Sequence, residues 1–254
     1  MFKATLQDVS LMRDNLEAVS SMITEGTFEI SKDGLKLVAM DSASVAMVVL
    51  KILPSSFLDY HCKEESKMTI SLTNLVTILK RSRSNDHIVL ELDESRLKIT
   101  MKGDFTRTFI VPLIDSAGTV QKIPELNFKG KVLISASALK DGIKDAQMVS
   151  DCVIFEANPL AFIIRSSGDT SETRMELTKD SPSLNSLNLT EGMEAGKAIK
   201  AKYAIDYIDK MLKGTKSNDN VTLQFSNDYP MKLDHTVIDK LQLSFILAPR
   251  VDTD

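Results

Sequence analysis

The chain has 254 residues and a mass of 28.1 kDa, enough for one large domain or two ordinary ones, and with 43% apolar and 26% charged residues it is expected to bury a core. No apolar run approaches the roughly 18 residues that a membrane span requires, and no n-region, h-region and cleavage site opens the sequence, so neither insertion nor export is expected. A formal net charge of -4 argues against a surface that is basic throughout.

In chain order, FKATL reads as a strand, and Val9, Met12, Leu16 and Val19 mark the apolar face of a helix. TFEIS and GLKLVAM alternate as strands. Leu72, Leu75, Val76 and Leu79 then follow the i, i+3, i+4, i+7 rule of an amphipathic helix that ends on LKRSRSND, a cluster of Lys80, Arg81 and Arg83. HIVLEL, RLKITM and FTRTFIVPLID close the first half as strands.

The order then recurs. KVLIS, a helix on Leu139, Ile143 and Ala146 over Ala136 to Ser150, and the strands CVIFEA and LAFIIR precede AKYAIDYIDKML. There Ala201, Ala204, Ile205, Ile208 and Leu212 predict a helix ending on LKGTKSND, and VTLQF, MKLDHTV and LQLSFILAPRVD follow. The two basic octamers start 133 positions apart, and the closures Val111-Pro112 and Ala248-Pro249 lie 137 apart, so one unit is repeated. Between the halves, Asp115 to Gly130 has no periodicity and holds Gly118, Pro124 and Gly130, an extended linker in which Pro124 biases Ile123 away from helical geometry. The expectation is an α+β chain of two similar domains, 1–115 and 131–254, each with two helices packed on antiparallel sheets and joined by a connector over 116–130. DSPSLNSLNLTEGMEAG is expected to be a loop within the second half.

FTRTFIVPLID and ETRMELT alternate as edge strands, and an unpaired edge invites pairing with another chain, a liability that a ring of subunits joined edge to edge would remove. Cys62 and Cys152 form no CxxC pair and read as buried reduced thiols, in keeping with a reducing cytosol. His61, His87 and His235 are scattered without metal spacing, and no GxxxxGK[ST], GxGxxG or GxSxG occurs, so no enzyme site, cofactor or metal is signalled. Asp41, in AMDS, reads as a turn residue.

LVAMDSASVAMVVL, LPSSF, TRTFIVPLID, IPEL and the terminal LAPR stand in an order and spacing that resemble the proliferating cell nuclear antigen family of DNA sliding clamps, with length and tail closer to its archaeal members. The resemblance runs from Met1 to Arg250. It implies a threefold ring around duplex DNA, helices lining the hole, sheets outside and partners docked at the linker. Arg13, Lys80, Lys140, Lys144, Lys202, Lys210 and Lys213 would then face DNA. The other reading of such residues is that cations at a helix end complement its negative C-terminus. By the same resemblance Met40, Val45, Met47, Ile123, Pro124, Tyr229, Pro230, Ala248 and Pro249 surround an apolar cleft that takes a short helical turn with aromatic anchors, although Met40 and Met47 also suit a core, and Ser44 and Gln121 are polar for such a cleft. At the subunit interface Arg107 and Phe109 on one edge strand and Met175 and Leu177 on the other would meet, and Asp141 and Asp145 would pair with Arg81 and Arg83 of the next copy.

The expected function is a DNA polymerase processivity factor without catalysis of its own, closed as a homotrimer or as a ring shared with related chains. It would tether polymerase, flap endonuclease and DNA ligase through short peptide motifs and be loaded by a separate ATPase. Its place would be the cytoplasm with the nucleoid, or the nucleus for a eukaryotic source. A processivity factor that does not close a ring, and a hydrolase with no recognisable motif, are the alternatives.

Overall fold

The computed structural model describes residues 2–6, 8–115, 121–190 and 198–251, so 116–120 of the expected connector, with Gly118, and 191–196 of the expected loop lie outside the described residues. The chain divides into two compact units, Met1–Ile123 with Thr236–Leu243, and Pro124–His235 with Ser244–Asp254.

The first repeat runs β1 (Phe2–Leu6), α1 (Ser10–Ser20), β2 (Glu25–Ser31), β3 (Gly34–Met40), β4 (Ala46–Ile52), β5 (Asp59–Cys62), β6 (Ser66–Ser71), α2 (Leu72–Leu79), β7 (His87–Leu92), β8 (Arg96–Lys102) and β9 (Thr106–Pro112). The second repeats it element for element: β10 (Gly130–Ser135), α3 (Ala136–Gln147), β11 (Cys152–Ala157), β12 (Ala161–Ser167), β13 (Glu172–Thr178), β14 (Leu184–Leu189), β15 (Ile199–Ala204), α4 (Ile205–Leu212), β16 (Asn220–Phe225), β17 (Met231–Val237) and β18 (Leu241–Leu247). Strand order in the first is β5-β1-β7-β8-β9 and β4-β3-β2-β6; in the second it is β14-β10-β16-β17-β18 and β13-β12-β11-β15. Antiparallel pairing joins sequence neighbours such as β3 and β4 or β16 and β17 and also strands distant in sequence such as β1 and β5.

Local chemistry explains the element boundaries. Ser71 and Ser135 precede α2 and α3, and their hydroxyls accept from the Asn74 and Ala138 amides at 3.2 and 3.3 Å, capping donors that the first turn leaves orphaned. Gly34 turns β2 into β3 with φ of 119°, and a side chain there would run into the Ile52 carbonyl oxygen. α1 buries Met12, Leu16 and Val19 and packs on α2, while α3 buries Leu139, Ile143 and Ala146 and packs on α4. Both helices therefore leave their charged stripes outward.

The two cores differ. Phe155, Phe162, Tyr203 and Phe225 form a cluster with ring centroids 5.7 to 6.2 Å apart in the second unit, where the repeat places Phe28, Leu35, Ile70 and Leu92 in the first. Such ring pairs contribute about 0.5 to 1.5 kcal/mol each beyond their buried area. Tyr203 keeps its hydroxyl satisfied by donating to the Tyr229 carbonyl at 2.6 Å.

Several sequence expectations need correction. Ala201 and Ala204 belong to β15, and the helix begins only at Ile205, because Ile199, Ala201 and Tyr203 are buried at strand spacing. The stretch expected as a loop contains β14, paired with β10 from Leu189 to Leu184. α3 stops at Gln147 rather than Ser150. Cys62 is half-buried, its thiol donating to the Glu64 carbonyl at 3.2 Å; Cys152 is buried, and both are free.

Candidate nucleic-acid and partner surfaces

Six of the seven cations expected to face DNA sit on helices or at their ends. Arg13 lies 2.7 Å from Asp14, Lys80 is 2.7 Å from Glu17 across the α1–α2 pair, and Lys210 is 2.6 Å from Asp206 at i, i+4. Lys140 donates to the Thr215 carbonyl at 2.6 Å, and partial burial pushes its ammonium pKa down. Lys144 and Lys213 are exposed and make no ion pair among the described residues. Lys202 does not belong with them: it sits on β15, on the sheet face opposite Ala201 and Tyr203. Lys216 was missed as a candidate, although it lies in the second basic octamer and is exposed.

The two predicted edge strands are edges. β9 ends one strand order and β13 another, and their burial alternates identically, with one face exposed and the other half-covered. Their counterparts in the repeat, β18 and β4, are buried along nearly their whole length. On β9, Phe109 is half-buried, Ile110 exposed and Phe105 at its start 51% exposed, with the Arg83 and Arg107 guanidinium groups 4.7 and 5.4 Å from its ring centroid. Arg107 also pairs with the buried Asp86 and donates to the Arg81 carbonyl at 2.8 Å, so much of its charge is used within the chain. Asp86 in turn accepts from the Arg83 amide at 2.8 Å, which makes it the organiser of the basic loop, and its place in SND gave no sign of this beyond the recurrence of the tripeptide. Arg83 lies 3.8 Å from Asp104. Beside the other edge, Asp141 and Asp145 are exposed on α3 without ion pairs among the described residues. Met175 is half-buried, whereas Leu177 is 3% exposed and packs inward.

The expected cleft residues divide between the two units. In the first, Met40 at the end of β3 is 36% exposed and Ile123 is 41% exposed, but Met47 is 4% exposed and belongs to the core. The turn between them is built by Asp41, as expected, whose carboxylate accepts from the amides of Val45 and Ala46, both at 2.8 Å, while Ser44 takes φ of 58°. Val45 is left half-buried. In the second unit Pro124 is exposed and Tyr229, Pro230, Ala248 and Pro249 are half-buried. Tyr229 stands edge-on to Phe128, 6.1 Å between centroids, and Phe128 is the residue that the apparently patternless linker concealed.

His235 is buried 3.1 Å from Asp219, and burial is the main cause that lowers its pKa. His61 lies exposed, 2.8 Å from Asp59. Among the described residues no three His, Cys, Asp or Glu side chains group as a metal site, and no helix is long and apolar enough to cross a membrane.

A duplicated α+β repeat with paired helices, whose sheets end among others on β9 and β13, defines a clamp-type architecture. Residues 1–107 match the model for the proliferating cell nuclear antigen N-terminal domain, and residues 122–250 the model for its C-terminal domain. The chain is 35% identical over 238 residues to the DNA polymerase sliding clamp of Pyrococcus furiosus, covering 93% of each, and 35% identical over 254 residues to that of Nanoarchaeum equitans, covering 98% and 100%. The solved structure of PCNA from Thermococcus kodakaraensis superposes with a TM-score of 0.93 at 28% identity over 98% of this chain and 100% of that one. A structure of the C-terminal region of FEN-1 bound to A. fulgidus PCNA does so at 0.89 and 27%, covering all of both. The chain therefore belongs to the proliferating cell nuclear antigen family, the DNA polymerase sliding clamps.

Proposed function

We propose that three copies of this clamp close head to tail, β9 of each pairing with β13 of the next, and that the ring encircles duplex DNA and carries replication and repair enzymes along it. The observation that supports this best is the contrast within the repeat: β9 and β13 are bare while β18 and β4 are buried. Charge favours the same pairing, since Arg81 and Arg83 flank one edge, and Asp141 and Asp145 lie on the helix packed against the other. Phe109 and Ile110 on β9 and Met175 on β13 supply the apolar part, and Arg107, held by Asp86, stiffens the joint.

Arg13, Lys80, Lys140, Lys144, Lys210 and Lys213 face the hole. Contacts to phosphate carry no sequence information and weaken with salt, as a sliding ring requires. Several are already paired with carboxylates, which keeps the grip weak. Met40, Val45, Ile123, Pro124, Tyr229, Pro230, Ala248 and Pro249, with Phe128 behind Tyr229, take the aromatic anchors of partner peptides from polymerase, flap endonuclease and DNA ligase. The A. fulgidus relative with a FEN-1 C-terminal region bound offers a parallel. The clamp acts by topology rather than catalysis, a separate ATPase opens and loads it, and it works in the cytoplasm with the nucleoid.

Native mass measurement tests the assembly. Three times 28.1 kDa is expected for the purified chain, and a monomer or dimer at micromolar concentration would refute the closed ring.

A further inference from the structure

LPSSF, Leu53 to Phe57, is a motif that the hole, the cleft and the edge strands leave unexplained. It makes one turn of 3-10 helix over Pro54–Ser56 after β4, closed by the Ser56 amide on the Leu53 carbonyl and the Phe57 amide on the Pro54 carbonyl, both at 3.0 Å. Its outward donors all go to one place. The Leu53 amide donates to the Lys240 carbonyl at 2.8 Å, the Ser56 hydroxyl to the same carbonyl at 2.6 Å, and the Ser55 hydroxyl to the Asp239 carbonyl. Asp239 and Lys240 stand in the turn that leads from β17 into β18, and this turn belongs to the same compact unit as the motif. LPSSF is therefore a clasp: it follows one strand and grips the hairpin turn that opens another.

The repeat supplies both parts of this clasp a second time, on separate surfaces. The shared Phe-Glu pairs of β2 and β11 set the register. Phe28 pairs with Leu37 and Leu37 with Leu50, as Phe155 pairs with Ile164 and Ile164 with Met175. Met175 thus corresponds to Leu50, and the same count onward brings Thr178 to the place of Leu53 and Ser181 to that of Ser56. The backbone agrees, since the Ser181 amide donates to the Thr178 carbonyl at 2.9 Å, as the Ser56 amide does to that of Leu53.

The gripped part recurs as well. Gly103 to Phe105 separate β8 from β9 as Ile238 to Lys240 separate β17 from β18, and all three of the former are exposed. Thr178 is exposed and Ser181 half-buried, and among the described residues the Ser181 hydroxyl meets the Thr178 hydroxyl alone, at a long 3.4 Å. The first clasp holds a turn; the second follows the bare strand β13, and the second turn opens the bare strand β9.

We infer that Thr178 to Pro182 of one copy clasp the turn Gly103 to Phe105 of the next, the Ser181 hydroxyl and the Thr178 amide donating to its backbone carbonyls as Ser56 and Leu53 do within the chain. This rests on the head-to-tail ring proposed above. It carries the joint past β9 and β13 to the strand ends and fixes their register, because a slip of either strand withdraws the turn from the clasp. One bond is not carried over. Asp180 stands where Ser55 does, and an ionised carboxylate accepts but cannot donate to a carbonyl. The clasp between copies is thereby weaker than the one within the chain, which suits a ring that must open.

Dilution of the full chain tests it. Ser181→Ala is expected to raise the dissociation constant about fivefold at each joint, the scale of one neutral hydrogen bond, and equally at low and high salt, since neither partner is charged. Ser181→Thr keeps a hydroxyl and should restore wild-type dissociation, and the monomers of both variants should melt with the wild type. A chain carrying Ser181→Cys and Asp104→Cys together should give covalent dimers and trimers on mild oxidation, because a disulfide needs close approach, whereas either substitution alone should give none. With wild type at trimer mass, unchanged dissociation of Ser181→Ala, an effect confined to low salt, a Thr variant no better than Ala, or no covalent species from the doubly substituted chain would overturn the clasp and leave the ring standing. A wild type that is monomeric at micromolar concentration would overturn the ring and the clasp together.

Discussion

β4 and β13 hold the same place in the two repeats, as do β18 and β9, yet the first member of each pair is buried and the second is bare. The sequence records this difference. β4 reads AMVVLKI, with five buried residues in succession, while β13 reads ETRMELT and alternates charge with apolar side chains. A strand covered on both faces needs apolar residues at every position, whereas one that waits for a partner must remain soluble until it arrives. Duplication made the two strands of each pair equivalent in place, and composition marks which member of each pair stays open.

The strongest way to break this contrast is Thr108→Pro, which removes a backbone donor from β9 and wedges the edge. Complete conversion to a 28.1 kDa species is expected by native mass measurement, with a thermal melt showing that the fold survives. A variant still at trimer mass would mean that β9 is not the joint.

Next comes the same truncation on the two counterparts. Met47→Ala on β4 should cost about 2 to 5 kcal/mol in chemical denaturation, as a buried methionine does. Met175→Ala on β13 should leave the monomer nearly as stable and instead lower the concentration-dependent trimer population. Equal stability losses would erase the distinction between covered and bare strands.

A smaller effect is expected where partners dock. Ile123→Ala should weaken an aromatic-anchored peptide by about 1 kcal/mol or more without changing ring mass. Reversing Arg81 and Arg83 to Glu should loosen the trimer on dilution, and adding Asp141→Lys and Asp145→Lys should restore it, with a coupling of about 0.2 to 1 kcal/mol per pair.

The subtlest test uses pH. Val221 pairs with His235 where its counterpart Ile88 pairs with Met101, so a titratable group fills an apolar place in the second repeat alone. Burial lowers the His235 pKa, so the unfolded chain binds the proton more readily than the folded one. The stability this gives is full above about 6.5, the ordinary histidine value, and is lost as pH falls through the folded value. His235→Gln should flatten that acid slope in urea titrations between pH 7 and 5, and an unchanged slope would show that other groups carry it.

Much of this architecture is legible in the residues. The octamers LKRSRSND and LKGTKSND disclose the duplication, and helical spacing finds α1, α2 and α3 because each buries one clean stripe. Spacing failed at Ala201 and Ala204, where small residues fit both periods and a strand runs straight into α4 without a break. β14 was hidden because its polar face alternates with Leu184, Leu187 and Leu189 in a stretch rich in Ser and Asn. At the sites, exposed charges on helices were readable, but Lys202 inherited the wrong helix. Met47 and Met40 could not be told apart, since burial depends on the layers packed above β4 and not on the residue itself. Asp86 and Phe128 act through partners far away in sequence, Arg107 and Tyr229, which no local pattern connects.

The charge sequence of β13 has one more consequence. Its outward face presents Glu172, Arg174 and Glu176 in order. If two copies of this strand met antiparallel about Arg174, each Glu172 would face Glu176 and the two arginines would face each other, like against like at every position. Isologous pairing in that register is therefore disfavoured, whereas the heterologous contact proposed above repeats with the same sense around the assembly. Every subunit then points the same way, and the closed object has an obverse and a reverse. An enzyme that recognises one side of it is thereby told which way along the duplex it faces.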